Sequence, residues 1–445
     1  MDQPAQSIAD RYHLWLAPHW RNWFEQPNTA VAQPEFSLPG AFQSRASTSE
    51  LLSAKPSMVW AGFMLPDTLP VIGNEYGDWI CVRVAEDNAL GELIHWYHGG
   101  GDWIPVGHTL AEALLHDLVD QFRPLRQQML RGAAEMLLPD HLSNVRGRFA
   151  APELRDWLVT NLQISGVPTV HDTLNELFEH LFGGEYRQAL TLLLRNNWAF
   201  EATACDLVES LLHQPLARLH HALRNIEADS PERTKVIRWL FDPENQATPI
   251  HLAELVSEQE LASARQEWRQ AEQLCVQTIS RRADLAWAFD ILGWCQQRSN
   301  RREAALDTYF AGRFASSFTD QAVRLGSHWF DQRFGKFCVA QLAEHAQALP
   351  PEYQRDDYLR VILDAPPRGL LGNVQQFWMN MGREQLSAGN GATAYQSFYR
   401  AGWDLGASRL TDYRSILEML IEAARIARWP AREAVARMHL DSLSF

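Results

Sequence analysis

The chain has 445 residues, with 40 Lys+Arg against 54 Asp+Glu, a net charge of −14, 46% hydrophobic and 21% charged residues. This composition excludes a disordered chain, and the acidic balance excludes a general nucleic-acid binder, whose phosphate contacts need a basic surface. At roughly 100–200 residues per domain, two or three domains are expected.

The start, MDQPAQSIAD, has no basic or apolar leader, so no secretory signal is expected. The longest apolar stretch, Met58 to Leu65, is far short of the ~20 residues of a membrane span. The first helical signal is Tyr12, Trp15, Leu16, His19, Trp20 and Trp23, which share one 3.6-residue face. Pro18 interrupts it, so two short helices are expected, the second opening on Pro18. Residues 25–57, rich in Pro, Ser, Gln and Ala, read as loop. Alternation in Asp78–Val84 and in Glu92–Tyr97, with turn residues 85–91 between them, predicts an antiparallel hairpin. A glycine loop, His98–Asp102, leads to a short edge piece, Trp103–Val106. Thr109-x-x-Glu112 is a capping box, and Leu110, Leu114, Leu118 and Phe122 line the helix behind it.

Charge and punctuation both change near residue 125. Residues 1–125 hold six basic and 15 acidic side chains, a net −9, together with seven of the 17 Trp. The expectation is an α+β N-terminal domain over 1–125, a small antiparallel sheet with flanking helices. An all-α helical-repeat, solenoid-like domain is expected over 126–445. The break is placed within 123–150, at Arg123-Pro124 or in a loop around Pro139-Asp140.

The order of N-terminal elements resembles the SUKH superfamily, the Smi/Knr-type domain. The resemblance rests on Leu69-Pro70-Val71-Ile72-Gly73, on Gly77-Asp78-Trp79-Ile80-Cys81-Val82, on Gly91-Glu92-Leu93-Ile94 with the tail Trp96-Tyr97-His98, and on Ala111–Leu115. It implies a binding domain rather than an enzyme. Bacterial members resemble immunity proteins that neutralise secreted toxins, often nucleases; eukaryotic members resemble hub regulators.

The remainder reads as helices, with an internal echo. Phe289, Leu292, Gly293, Ala305, Tyr309 and Gly312 recur 89 residues later as Trp378, Met381, Gly382, Ala394, Phe398 and Ala401. This pattern, clearest at 285–317 and 374–406, resembles the tetratricopeptide repeat. Glycine and alanine let two antiparallel helices approach, and the aromatic residues fill the space beside them. Asn300-x-x-Glu303 is expected to cap the second helix of the first copy. Gly184, Ala189 and Leu193 form a weaker third copy.

Catalytic and metal signatures are sparse. No GxxxxGK[ST], GxGxxG or HExxH occurs, and His98-Gly-Gly-Gly101 lacks the GxSxG elbow that an esterase would need. Neither His95, His98, His108 and His116 nor His213, His220 and His221 have defined ligand spacing, and Asp356-Asp357 face apart on a helix. Five cysteines without a CxxC fit buried thiols in a reducing cytoplasm. No metal or cofactor is expected.

The functional expectation is a non-catalytic cytoplasmic protein-binding protein of the immunity type. It would occlude a basic toxin such as a nuclease, without direct nucleic-acid or membrane binding. Asp78, Glu86, Asp87, Glu92, Trp96, Asp102 and Trp103 are the candidate contacts, although Trp residues of a small domain equally serve as core anchors. The alternatives are a regulatory scaffold that uses the helical repeats to bind housekeeping proteins and, remotely, a hydrolase.

Overall fold

A computed structural model of the chain describes residues 3–25, 40–123, 137–163, 169–224, 231, 258–299, 301–320, 333–366 and 368–443. They form two compact units: residues 1–203 together with 375–445, and residues 204–374. The break expected near residue 125 therefore lies inside the first unit.

The first unit opens with α1 (Pro4–Tyr12) and α2 (Pro18–Glu25), two short helices of which the second opens on Pro18. His13, at φ 55°, ends α1. Trp15 and Leu16 lie in the link, so the six-residue stripe is not one helical face: Tyr12, Trp20 and Trp23 are buried, while Trp15 is exposed. Within the stretch read as loop, β1 (Ser44–Arg45) and α3 (Thr48–Leu51) form, and residues 26–39 lie outside the described residues.

The sheet is an antiparallel meander in the order β1-β2-β3-β4-β5. Its further strands are β2 (Thr68–Gly73), β3 (Trp79–Val84), β4 (Leu90–Trp96) and β5 (Trp103–Gly107). The predicted hairpin is β3–β4, with Cys81 opposite Ile94. Sequence reading named Leu69–Gly73 only as a motif of the resemblance and not as a strand; the register shift between Pro70 and Ile72 is the irregularity that accommodates Pro70 within β2. Successive residues of β3 face opposite ways. His95 of β4 meets the Phe42 ring edge-on, and the Phe42 N–H donates to Asp117 of α4 (Leu110–Asp120). That helix covers one face of the sheet. Thr109 caps it by accepting from the Glu112 N–H, as the sequence predicts, but the Glu112 carboxylate accepts from His108 N–H at 2.9 Å rather than closing the box on Thr109.

Beyond α4, α5 spans Leu137–Ala150 and α6 Pro152–Asn161, so the loop expected at Pro139-Asp140 is helical. A hairpin of α7 (Val170–Phe182) and α8 (Tyr186–Arg195) turns on Gly184, at φ 79°, with Ala189 and Leu193 buried. Phe122, Phe149, Phe178 and Phe182 form an aromatic cluster beside α4. Helix α9 (Phe200–Arg224) leads out of the first unit; the side chains of His213, His220 and His221 lie outside the described residues.

The second unit contains α10 (Glu258–Arg281), α11 (Ala286–Arg298), α12 (Arg302–Gly312), α13 (Phe337–Glu344), α14 (Pro351–Gln354) and α15 (Asp357–Leu363). A Cβ at Gly293 would overlap the Tyr309 ring, which is why α11 and α12 approach so closely. Phe289, Leu292, Ala305 and Tyr309 are all buried there. A polar layer runs through this core: Tyr309 Oη donates to Gln297 Oε1 at 2.9 Å, Gln297 Nε2 to Gln341 Oε1 at 3.1 Å, and Cys338 Sγ to Asp290 Oδ1 at 2.9 Å. Helix α12 starts after Arg301 without a side-chain cap, and Asn300 lies outside the described residues.

Helix α16 (Leu370–Ser387) leads back to the first unit, which closes with α17 (Gly391–Trp403), α18 (Asp412–Ala427) and α19 (Pro430–Ser442). Gly382 lies against the Phe398 ring as Gly293 lies against Tyr309. Trp378, Ala394, Phe398 and Ala401 are buried, and Trp378 Nε1 donates to Asp404 at 2.9 Å.

These last helices lie against the sheet. Arg83 of β3 stacks over the Tyr399 ring, Tyr413 meets Gly62, and His439 Nε2 is 3.3 Å from the Thr68 carbonyl. None of the five cysteines is in a disulfide, and all are buried. No helix among the described residues is long and apolar enough to cross a membrane.

Candidate functional site

The hairpin that carries the candidate contacts presents two ends, about 20 Å apart along a six-residue strand. At the first end β3 begins, β4 stops and β5 starts. Trp79 pairs with Trp96, and Trp96 with Trp103, making a cross-strand row of indoles. The loop before β2 shields this row: Trp96 Nε1 donates to the Phe63 carbonyl at 3.2 Å, and Trp60 lies with its ring 6.1 Å from Trp96. Trp96 and Trp103 are 0% and 2% exposed, and Asp102 is buried beside them. These three expected contacts are core positions, because a small sheet covers its largest apolar side chains first.

Asp78 is also occupied. Its Oδ1 accepts from the His98 N–H at 3.0 Å and lies 2.8 Å from His98 Nδ1, while Oδ2 accepts from Asn74 at 3.2 Å and is 4.0 Å from His95 Nε2. Burial pushes this carboxyl upward, but the nearby His95 ring and the bonds from the His98 N–H and the His98 ring outweigh it and hold Asp78 well below the ordinary carboxylate range. Of the histidines considered together, this carboxylate gathers His95 and His98. His108 and His116 belong to the start and body of α4. Among the described residues, no group of three or more His, Cys, Asp or Glu side chains is arranged to hold a metal ion.

Glu92 lies within the sheet, 3.7 Å from Arg83. Arg83 also donates through its Nη2 to Asp67 Oδ2 at 2.8 Å, and its guanidinium stacks over Trp103 and Tyr399. Asp67 is 1% exposed, and among the described residues its Oδ1 has no hydrogen-bond partner, nor does the buried Tyr395 hydroxyl. Burial, reinforced by the nearby Asp67 carboxylate, pushes the Tyr395 hydroxyl far up. This cluster ties the sheet to α17. Sequence reading missed it because its members lie more than 300 residues apart.

At the second end the β3–β4 turn projects Glu86 and Asp87, both exposed. Asp87 Oδ1 accepts from the Ala89 N–H at 3.0 Å, which fixes the turn, and Asn88 follows at φ 66°. Asn88 is a junction. Its carbonyl accepts from Trp15 N–H at 2.9 Å, and its side-chain oxygen accepts from Ala431 N–H at 3.1 Å. Arg432 Nε donates to the Val84 carbonyl at 3.0 Å, and its Nη1 is 3.6 Å from Glu86.

Exposed aromatics flank both ends: Trp15 at the second, and Trp60, Phe63 and Tyr76 at the first. Sequence reading did not single these out, since periodicity cannot show which aromatic side chain a later helix leaves uncovered. Helices α1 and α19 frame a cleft of about 370 Å³ lined by Arg11, His13, Glu433, Arg437, Met438 and Asp441. Its charges are largely engaged: Arg11 donates to the Leu52 and Ser53 carbonyls, and Glu433 accepts from Arg425 and Arg437. Comparison with protein-family models, curated proteins and solved structures finds no match.

Proposed function

We propose that this chain is a non-catalytic protein-binding protein of the immunity type, acting in the cytoplasm, whose N-terminal α+β region occludes a basic toxin. One observation carries the reading. The region with most of the net negative charge also presents Trp15, Trp60, Phe63 and Tyr76 to solvent, at the two ends of one sheet. Exposed aromatic side chains on a rigid scaffold supply contact area at little ordering cost, and surrounding carboxylates steer a basic partner. The contact set differs from the one expected from sequence. Glu86 and Asp87 remain in it, the exposed aromatics join it, and Trp96, Asp102 and Trp103 support it from the core.

In this reading the helical hairpins α11–α12 and α16–α17 are degenerate repeat copies that scaffold the N-terminal region or hold a second partner. The scaffold alternative rests on those hairpins alone. Co-production with the toxin encoded beside its gene tests the choice. A stoichiometric complex with loss of toxin activity, weakening as salt rises, supports immunity. Several housekeeping partners bound through residues 258–363, with no toxin complex, support the scaffold and overturn immunity.

A further inference from the structure

The second end of the sheet has a more specific chemistry than general acidity. Trp15 is 63% exposed, the most exposed large hydrophobic side chain among the described residues. Its backbone is nevertheless fixed in place: the Trp15 backbone N–H donates to the Asn88 carbonyl, and the residue forms a parallel bridge with Ala89. An indole carried on an ordered backbone has only its own two side-chain torsions to order when a partner covers it. Glu86 and Asp87 project from the same turn, two residues and one residue before Asn88. The cation beside them, Arg432, is directed inward. Its side chain is 14% exposed, its Nε is spent on the Val84 carbonyl, and its guanidinium stacks over Trp429 at 4.7 Å and Tyr395 at 5.4 Å. What this end offers outward is therefore one exposed indole and two exposed carboxylates, of which Glu86 also lies 3.6 Å from Arg432 Nη1.

We infer that Trp15, Glu86 and Asp87 form a contact surface for an arginine- or lysine-bearing loop of a protein partner, with a side-chain cation over the Trp15 ring and its charge shared with the two carboxylates. The inference rests on the protein-binding reading above and narrows it to one end of the sheet. A guanidinium suits both halves of the site, since it stacks on aromatic faces and donates to carboxylates in one plane. Asn88 acts as a positioning residue. Its left-handed backbone turns the chain between Asp87 and Ala89, its carbonyl places Trp15, and its side chain ties the turn to the start of α19.

The test uses the full chain and a synthetic decapeptide of alternating Arg and Gly, with the matching Glu–Gly decapeptide as control, titrated calorimetrically at low and moderate salt. The expected result is binding of the Arg peptide alone, weakened about tenfold by Trp15→Ala and by the near-isosteric pair Glu86→Gln with Asp87→Asn. The charge pair should also flatten the salt dependence, whereas Leu410→Ala, an exposed apolar side chain outside the contact set, should leave binding unchanged. Unaltered melting temperatures establish that the variants fold. Binding that ignores both the Trp15 and the carboxylate variants, or that falls equally with Leu410→Ala, overturns the surface. So does the absence of any Arg-peptide binding at millimolar concentration. Failure of the broader reading looks different: without a toxin complex, but with Arg-peptide binding that depends on Trp15, immunity falls and the surface stands. Full toxin neutralisation by Trp15→Ala does the reverse.

Discussion

The hairpins α11–α12 and α16–α17 are related by a shift of 89 residues and use the same close approach, a glycine against an aromatic ring, in two different compact units. Their surroundings differ. In the unit of residues 204–374 the ring is Tyr309, whose hydroxyl joins a buried layer with Gln297 and Gln341. In the unit that contains the sheet the ring is Phe398, with no polar atom, and the tyrosines of the same helix, Tyr395 and Tyr399, belong to the cluster around Arg83. The same local packing device therefore serves two roles. One helix pair is locked internally by side-chain amides; the other is free of internal polar bonds at that ring and is linked to strands far away in sequence.

The largest expected effect attacks that linkage. Arg83→Ala leaves Asp67 buried without its cation and should cost about 3–5 kcal/mol of unfolding free energy in the sheet-containing unit. Denaturant melts that separate the two units should show the loss in one transition. An equal loss in both would break the distinction drawn here.

Acid should act on the same linkage through His439. Burial lowers its pKa to about 4 from 6.5, against the smaller opposing influences of the Thr68 carbonyl and Asp67. The unfolded chain takes up this proton first as pH falls, so the contribution is whole above pH 6.5 and is lost between 6.5 and 4, at up to about 1.4 kcal/mol per pH unit. His439→Gln should flatten that part of the stability–pH curve, and an unchanged slope would remove His439 as its source.

Gly382→Ala and Gly293→Ala should each cost about 2 kcal/mol by forcing a methyl group into the facing ring, each in its own unit. Gly382→Ala combined with Phe398→Leu should recover part of the loss if ring contact is the cause. The smallest effect separates the two hairpins most cleanly: Tyr309→Phe should cost about 1 kcal/mol by leaving Gln297 Oε1 without its donor. Phe398→Tyr should be unfavourable in the other hairpin, where the added hydroxyl enters an apolar site.

Local signals were legible where one segment contains its own explanation. Pro18 opens the second short helix, alternation marks β3 and β4, and Gly293 and Gly382 mark close helix approaches. The candidate contacts were only partly legible. Acidic turn residues at 86 and 87 are exposed wherever the hairpin sits, so their position follows from the turn itself. Trp96 and Trp103 depend on what covers the strand, and composition alone cannot distinguish an interface tryptophan from a core one.

The sequence by itself determined the acidic N-terminal region, its antiparallel hairpin and the helical character of the rest, because charge, two-residue alternation and helical periodicity are properties of neighbouring residues. Only the tertiary structure decided that residues 375–445 share a unit with the sheet, that Arg83 is joined to Tyr399, and that Trp15 rather than Trp96 faces solvent. The reason is physical. A strand with two apolar faces must be covered on both, and the helices that meet β2 and β3 on the second side, α17 and α19, come more than 300 residues later, where no local pattern announces them.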